Sequence, residues 1–304
     1  MSKQIKGSLA LFLAALIWGT AFVAQSTAAS VIGPFAFSAI RNYIGVFTLI
    51  PVIFVIRRTK KGKDMTIKGE VTEIIRDRKL LLGGLLCGTA LCIASNLQQT
   101  GIKYVSFVGK SGFITALYII FVPIAGLFLH KKVGRLVIVA LIFAVTGLYF
   151  LCINQRFTLE YSDILLILCA VFYTVQIMFI DKFAPDVDCV LLACIEFLVC
   201  GTLSLILMFL FEHNTIEDVK QAGFSLLYTG IFSSGVAYTM QMLGQKDLNP
   251  TIACLIMSLE SVVSVLSGMI ILREQPSGRE LLGCILMFVG VILAQIPDNI
   301  RFGR

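Results

Sequence analysis

Long apolar runs, separated by short polar segments, are the dominant pattern along this chain. A helix needs about 20 apolar residues to cross a hydrocarbon core roughly 30 Å thick, and runs of that length recur from end to end. The runs are too long, and alternate too little, for the strands of a barrel, the other structure that lipid tolerates. The pattern therefore predicts an all-α integral membrane protein with ten transmembrane helices. They lie at about 8–29, 35–56, 80–100, 105–129, 136–153, 162–181, 189–211, 223–244, 251–272 and 280–297.

The composition narrows the class further. Of the 304 residues, 58% are hydrophobic and 14% are charged, and the charged residues are concentrated between the apolar runs. A soluble domain of this length could not keep so much apolar surface away from water. The longest polar stretch, about 57–79, is too short to build a core of its own. The nine cysteines lie in or beside the apolar runs and form no CxxC pair, so we expect packing residues, no metal site and no cofactor.

Lysine and arginine are distributed unevenly between alternate loops. If the N-terminus is cytoplasmic, the inside segments hold 18 of these residues and the outside segments hold 5. The positive-inside rule then predicts a multi-pass protein of the cell (cytoplasmic) membrane with both termini in the cytoplasm. The net charge of +7 follows from this bias, so we expect the lipid bilayer, and no nucleic acid, as a partner.

The chain also repeats itself. A shift of 155 residues aligns the early parts of two halves, and a shift of 143 aligns the late parts, because the first half has a longer basic loop. Each half holds five predicted spans, and an odd number forces the halves into opposite orientations. We therefore predict two inverted repeats, 7–153 and 161–297, around a central cavity. The aligned pairs include Ala15 with Ala170, Trp18 with Tyr173, Thr115 with Ser258, Ala140 with Gly283 and Gly147 with Gly290.

Several segments carry a family resemblance. The first repeat opens with LFLAALIWGTAFV and closes with SFVGKSGFITALYIIFVPIAGLFLHKKV and LIFAVTGLYFL; the second closes with MSLESVVSVLSGMIILREQPSGRELLGCILMFVGVIL. This arrangement resembles the EamA family of the drug/metabolite transporter (DMT) superfamily across essentially the whole chain. The resemblance implies a ten-helix carrier with a solute cavity between two EamA domains, whose relatives move small metabolites such as amino acids, often outward. Two positions depart from the family pattern: Lys131 stands where the second repeat has Glu274, and Ser261 follows Glu260 where many members have proline.

Four charged residues stand out inside predicted spans, away from the span ends, where a charge costs a few kcal/mol and normally faces the bundle interior. The sharpest hypothesis is that Lys110 and Glu260 line the cavity and contact opposite ends of a polar or zwitterionic solute, because spans four and nine are equivalent helices. The alternative for Lys110 is a structural ion pair, or a side chain that reaches the nearby interface. Arg41 and Glu196 are candidates for a gate or for coupling. Arg41 could equally be an interfacial anchor and Glu196 a partner for another helix, and either glutamate could carry a coupling proton.

Neutral polar residues recur on one side of several predicted spans. Among them, Trp18, Asn96, Tyr238 and Gln241 are our candidates for cavity-lining, substrate-binding residues. The alternative is that such residues hold helices together by hydrogen bonds. In span three, Gly84–Gly88 forms a GxxxG motif, which predicts close approach of a neighbouring helix.

The motifs also separate the possible functions. An HExxH pair, two intramembrane aspartates and a Walker A motif are missing from the sequence, which argues against a membrane-embedded enzyme and against direct use of ATP. We therefore expect a secondary transporter of a small polar metabolite, without catalytic residues, that exports amino acids or related metabolites by alternating access. The alternatives are an importer or exchanger of small organic anions and, from another class, a membrane-embedded enzyme. The oligomeric state is left open.

Overall fold

Helices make up all of the regular structure in the part of the chain that the structure describes. This computed structural model describes residues 3–61, 67–105, 108–128, 135–152, 160–273, 275 and 277–295. The all-helical prediction is confirmed for these residues, whereas Lys131 and Glu274 lie outside them. In chain order the helices are α1 (Lys3–Ala29), α2 (Pro34–Lys61), α3 (Ile67–Arg76), α4 (Arg78–Tyr104), α5 (Val108–Thr115), α6 (Tyr118–Phe128), α7 (Arg135–Cys152), α8 (Tyr161–Phe183), α9 (Cys189–Phe211), α10 (Ile216–Gln221), α11 (Gly223–Tyr228), α12 (Thr239–Gln245), α13 (Pro250–Met257), α14 (Leu259–Ser267) and α15 (Gly278–Gln295).

Most of these helices are suited to a membrane. Seven helical segments among the described residues are long and apolar enough to cross one: Lys3–Ala29, Pro34–Thr59, Arg78–Tyr104, Val108–Phe128, Tyr161–Phe183, Cys189–Phe211 and Pro250–Leu272. Helices α7 and α15 contain shorter apolar stretches, Arg135–Gly147 and Leu281–Leu293. Helices α11 and α12 are joined without a break by a π-helical stretch, Thr229–Tyr238, and we call this continuous element the 223–245 helix.

Predicted spans four and nine each contain a local irregularity, which we call a helix break. Ala116 and Leu117 separate α5 from α6, and Ser258 separates α13 from α14. At the first break the Leu117 N–H donates to the Ile114 carbonyl at 3.2 Å, and at the second the Ser261 N–H donates to the Ser258 carbonyl at 3.1 Å. Such bonds to the third preceding residue tighten the helix locally. The 143-residue shift places both breaks at the same point of each half.

A carboxylate joins α9 to α2. Glu212, which follows α9 directly, accepts hydrogen bonds from the backbone N–H groups of Phe35 and Ala36, each at 2.9 Å. The exposed N–H groups of a helix N-terminus favour such a negative charge. A side chain at Gly33 would overlap this carboxylate, so the close approach requires glycine there. Helices α2 and α9 therefore run antiparallel, with a first end where α2 begins and a second end where α9 begins.

The main helix contacts cross between the two halves of the chain. Helix α4 packs on α8 and α9, the 223–245 helix packs on α1 and α2, and α7 packs on α15. On α4, a Cβ added at Gly88 would lie 2.6 Å from the Glu196 carbonyl oxygen, and one at Gly84 would overlap Ile195. The close packing that the GxxxG motif predicts is therefore confirmed, with α9 as the partner.

Two ion pairs connect helices at opposite ends of the bundle. At the first end, the Lys110 ammonium on α5 lies 2.8 Å from Asp163 Oδ1 and 3.2 Å from Glu160 Oε2, at the start of α8. At the second end, Lys79 lies 3.1 Å from Asp186. The two pairs differ in exposure, because the Lys110 and Asp163 side chains are only 17% and 8% exposed, whereas Lys79 and Asp186 are 70% and 56% exposed.

Gly88→Ala tests the helix contact. Alanine has a helix propensity about 1 kcal/mol better than glycine, but its methyl group would force α4 away from α9, and overpacking costs about 1–3 kcal/mol. We expect a lower melting temperature of the detergent-solubilised protein. Gly223→Ala is the matched control, since a Cβ there meets nothing within 4 Å. An equal effect of both substitutions would contradict the packing account.

Lys110→Met tests the buried ion pair. Removing the ammonium leaves the nearly buried Asp163 carboxylate without its ion-pair partner, which should cost about 3 kcal/mol of stability. Adding Asp163→Asn should restore most of the loss, because the remaining charge is then removed as well. Lys79→Met should leave the melting temperature unchanged, as exposed pairs contribute little. A loss that Asp163→Asn deepens would show that the two side chains act independently.

Candidate functional site

A cavity lies between helices of both halves, with roughly 450 Å³ of empty space that includes the solvent at its opening. The lining side chains come from both halves of the chain and are mostly polar or aromatic. They are Trp18, Phe22, Gln25, Arg41, Gln98, Thr115, Tyr118, Tyr173, Gln176, Ile177, Ser233, Tyr238, Gln241, Met257 and Glu260.

The cavity lies at the two helix breaks. Thr115 and Tyr118 flank the break between α5 and α6, and Met257 and Glu260 flank the one between α13 and α14. The Tyr118 hydroxyl donates to Glu260 Oε1 at 2.9 Å, so the two broken helices are connected directly across the cavity wall. The backbone N–H groups at both breaks stay hydrogen-bonded within their helices, so side chains are what these segments present to the cavity.

The wall is well shielded from the exterior. Every lining residue except Trp18 is buried, and the charged Arg41 and Glu260 are only 3% and 5% exposed. A charge in such surroundings is screened far less than one in water. Electrostatic contacts with anything inside the cavity are strengthened accordingly.

Arg41 contributes the cavity's cation. Its Nη1 donates to Gln25 Oε1 at 3.2 Å, and its guanidinium lies 5.7 Å from the centre of the Phe37 ring. Its Nε has no hydrogen-bond partner, and no carboxylate among the described residues forms an ion pair with it. Glu260 likewise accepts a hydrogen bond from Tyr118 alone among the described residues. The cavity thus holds one basic and one acidic side chain that are not paired with each other.

Further polar atoms of the wall are unpartnered within the described part of the chain. They are the indole N–H of Trp18, whose ring packs edge-on against Tyr238 at 4.9 Å, and Oε1 of Gln241. A buried polar group without a partner costs about 1–3 kcal/mol. By contrast, the hydroxyl groups of Tyr238 and Tyr173 are bonded in series, at 3.3 Å to each other and 3.2 Å on to Gln98. The free donors and acceptors can therefore bind a polar solute.

Five of the eight residues predicted from the sequence line this cavity: Trp18, Arg41, Tyr238, Gln241 and Glu260. The other three lie elsewhere. Lys110 is not among the lining residues, and its ammonium is paired with Asp163 and Glu160, the structural ion pair that was its alternative. The helical phase of α5 turns Lys110 toward α8, while Thr115 on the same helix reaches the cavity.

Asn96 is also placed outside the cavity. Its Nδ2 donates to the Cys92 carbonyl at 2.8 Å and to the Ser204 hydroxyl at 2.9 Å, so it fastens α4 to α9. The polar stripe that includes Asn96 is thus helix glue, and the neighbouring residue Gln98 lines the cavity instead.

Glu196 lies one layer behind the wall. It is fully buried, and its Oε1 accepts from Nε2 of the cavity residue Gln176 at 2.9 Å. Its Oε2 has no hydrogen-bond partner among the described residues. Glu196 therefore reaches the cavity only through an amide.

Gln98, Thr115 and Tyr118 are lining residues that the sequence analysis missed. A signal exists for the first two. The 143-residue shift pairs Gln98 with the candidate Gln241, and it pairs Thr115 with Ser258, the residue at the second break. Nothing in the pattern of apolar residues marks Tyr118.

Comparisons with known proteins agree with this architecture. The chain is 26% identical over 299 residues to an uncharacterized transporter of Archaeoglobus fulgidus, which covers 97% of this chain and 87% of that protein. It is 22% identical to the uncharacterized transporter YoaV of Bacillus subtilis, over 95% of this chain and 97% of that protein. A protein of known crystal structure superposes with a TM-score of 0.76 at 18% identity, over 96% of this chain and 97% of that one, which bears on the fold alone.

The model of the EamA-like transporter family matches the chain twice, at residues 5–153 and 161–295. Each match contains one of the two helix breaks that meet at the cavity. Together the matches cover nearly the whole chain. This multi-pass membrane protein is a transporter that belongs to the EamA-like transporter family.

Proposed function

We propose that the protein is a secondary transporter that exports a small polar metabolite, of the amino-acid kind, by alternating access. The observation that carries the proposal is the central cavity, formed where two broken helices from corresponding points of the two halves meet. In secondary transporters built from inverted repeats, the solute site lies at the interface between the repeats. In alternating access, a rearrangement of the helices opens such a cavity to one side of the membrane at a time.

The two halves are proposed to be inverted repeats of five spans each. Several cavity residues are equivalents under the two shifts, and they meet across one centre: Trp18 with Tyr173, Phe22 with Ile177, and Gln98 with Gln241. The ten spans are then α1, α2, α4, α5 with α6, α7, α8, α9, the 223–245 helix, α13 with α14, and α15.

Contacts between α7 and α15 support the same symmetry. A Cβ at Gly147 would lie 2.6 Å from the Gly283 carbonyl, and one at Gly290 would lie 2.7 Å from the Ala140 carbonyl. The 143-residue shift exchanges these two contacts, since it pairs Gly147 with Gly290 and Ala140 with Gly283. A pair of helices related by a two-fold axis makes contacts of this reciprocal kind.

The charges of the wall favour a solute with both a carboxylate and an amine. Arg41 offers unpaired guanidinium N–H groups, which suit a carboxylate. Glu260 offers an acceptor for an ammonium group. The role that the sequence analysis gave to Lys110 thus passes to Arg41, and Glu260 keeps its own. Uptake or exchange of small organic anions is the second candidate function, and the unpaired Arg41 is the observation that favours it.

The proposed membrane orientation places both termini in the cytoplasm of the cell. It rests on the basic residues, 18 against 5 between alternate segments, and the second end of the bundle, with Lys79, is then cytoplasmic. Export then means passage from the second end to the first. Glu260 and Glu196 are the candidates for carrying a proton if the transport is coupled to one.

Trp18 is the only tryptophan of the chain and lies in the cavity, so its fluorescence reports binding there. We expect amino acids to change Trp18 emission and to be transported into proteoliposomes. Glu260→Gln keeps the shape of the side chain and the acceptor for Tyr118 but removes the charge. The affinity for solutes that carry an amine should therefore fall about tenfold. The double substitution Lys110→Met with Asp163→Asn is the matched control and should bind normally.

Organic anions are tested beside the amino acids, and the transport of each solute is measured with and without a pH gradient. Binding of anions alone, insensitive to Glu260→Gln, would favour the second candidate function. Acceleration by a proton gradient that disappears in Glu260→Gln would assign the coupling proton. If no solute changes Trp18 emission while the labelled panel is still transported, the cavity is not the solute site.

A further inference from the structure

Arg41 and Glu196 occupy equivalent positions in the two repeats. The 155-residue shift that pairs Trp18 with Tyr173 also pairs Arg41 with Glu196. Each is the eighth residue of its helix, counted from Pro34 in α2 and from Cys189 in α9. At the same point of the fold, therefore, one half carries a basic residue and the other an acidic one.

Their surroundings are equivalent as well. A Cβ at Gly230 of the 223–245 helix would lie 3.0 Å from the Arg41 carbonyl oxygen, and one at Gly88 of α4 would lie 2.6 Å from the Glu196 carbonyl oxygen. In each repeat, a glycine from the other half lets the neighbouring helix cross directly over the charged residue. The sequence equivalence is therefore also an equivalence of packing.

Each charged residue is bonded to a glutamine of the cavity wall, with opposite polarity. Arg41 donates to Gln25 Oε1 at 3.2 Å, which leaves the Gln25 amide group as a donor. Glu196 accepts from Gln176 Nε2 at 2.9 Å, which leaves Gln176 Oε1 as an acceptor, and this oxygen lies 3.4 Å from Gln241 Nε2. The charge behind each amide thus decides whether the wall offers N–H groups or oxygens.

The two charges lie toward opposite ends of the bundle. Helices α2 and α9 are antiparallel and are joined at the first end by Glu212. With a rise of 1.5 Å per residue, Arg41 lies about 9 Å from that end. Glu196 lies about 6 Å further along, because its neighbour Phe197 faces Gly45. Both are almost completely buried, and neither forms an ion pair with a described residue. Their fields are little screened in such surroundings.

We infer that Arg41 and Glu196 give the cavity a positive and a negative end, so that a solute with a carboxylate and an ammonium group binds in one orientation. The carboxylate points toward the first end, where α2 begins, and the ammonium points toward the second end. Arg41 contacts the solute, whereas Glu196 is a positioning residue that acts through Gln176. The inference rests on the proposed function, since it specifies how the same cavity selects its solute.

Three probes of matched shape test this inference: phenylalanine, 3-phenylpropionate with the carboxylate alone, and phenethylamine with the amine alone. Their affinities are measured through Trp18 emission, excited where tyrosine does not absorb. We expect Arg41→Gln to weaken 3-phenylpropionate about tenfold and Glu196→Gln to weaken phenethylamine about tenfold, with the other single-charge probe little changed. Both variants should bind phenylalanine more weakly than the unchanged protein does. The double variant, Arg41→Gln with Glu196→Gln, should bind 3-phenylpropionate and phenethylamine with nearly equal affinity.

Gln25→Leu and Gln176→Leu are the second pair of variants, and they serve if removal of a buried charge prevents folding. The Gln176→Leu variant keeps Glu196 but cuts its connection to the cavity, so it should reproduce the selective loss of phenethylamine. Lys110→Met with Asp163→Asn, which removes two charges remote from the cavity, should leave the ratio of affinities unchanged. If Glu196→Gln weakens all three probes equally in folded protein, Glu196 has only a structural role and the inference is wrong.

A second measurement separates this inference from the proposed function. Iodide and caesium ions both quench tryptophan fluorescence, but the first is an anion and the second a cation. Quenching by neutral acrylamide serves as the control for how accessible Trp18 is. Arg41→Gln should lower quenching by iodide relative to caesium, and Glu196→Gln should do the reverse. If none of the three probes binds, the proposed solute class fails, and this ratio alone decides the inference. An unchanged ratio would overturn it.

Discussion

A helix surrounded by lipid has no water to satisfy its polar side chains, so each of them must find a partner inside the bundle. In this protein most do so. Asn96 bonds across to Ser204, Lys110 bonds to the start of α8, and the tyrosine hydroxyl groups bond to one another. The cavity is the region where this pairing stays incomplete. Arg41, Trp18 and Gln241 each keep an unpartnered polar atom, and all three line the same cavity, which makes it the candidate functional site.

Close helix crossings make this arrangement possible. Gly88 brings α4 onto α9 beside Glu196, and Gly230 brings the 223–245 helix onto α2 beside Arg41. Without side chains at these positions, the backbones approach closely enough to bury the charged residues completely. The same glycines therefore allow the helices to pack closely and also keep Arg41 and Glu196 buried. The breaks near Thr115 and Ser258 add a second element, because they direct polar groups inward in the middle of otherwise apolar helices.

The sequence predicts the helical class well because it depends on segment length and hydropathy, which are local. It predicts the site less well, because the site depends on helical phase and on residues distant in the chain. Lys110 and Arg41 look alike in the sequence, as cations inside apolar spans. They differ because Asp163, 53 residues after Lys110, meets it, whereas no carboxylate of the described chain meets Arg41. Asn96 and Gln98 show the same limit. They are two residues apart on α4 and so face different sides, and Asn96 bonds to a neighbouring helix whereas Gln98 lines the cavity.

The main helix contacts cross between the halves, and this has a consequence for biogenesis. Helices α1, α2 and α4 find their principal neighbours in α8, α9 and the 223–245 helix, which are synthesised later. The first half must therefore wait in the bilayer with its polar faces uncovered, and neither half is a folding unit by itself. Domain boundaries drawn along the sequence do not describe how this molecule assembles. We expect the fold to be completed only after the second half has been synthesised and has packed against the first.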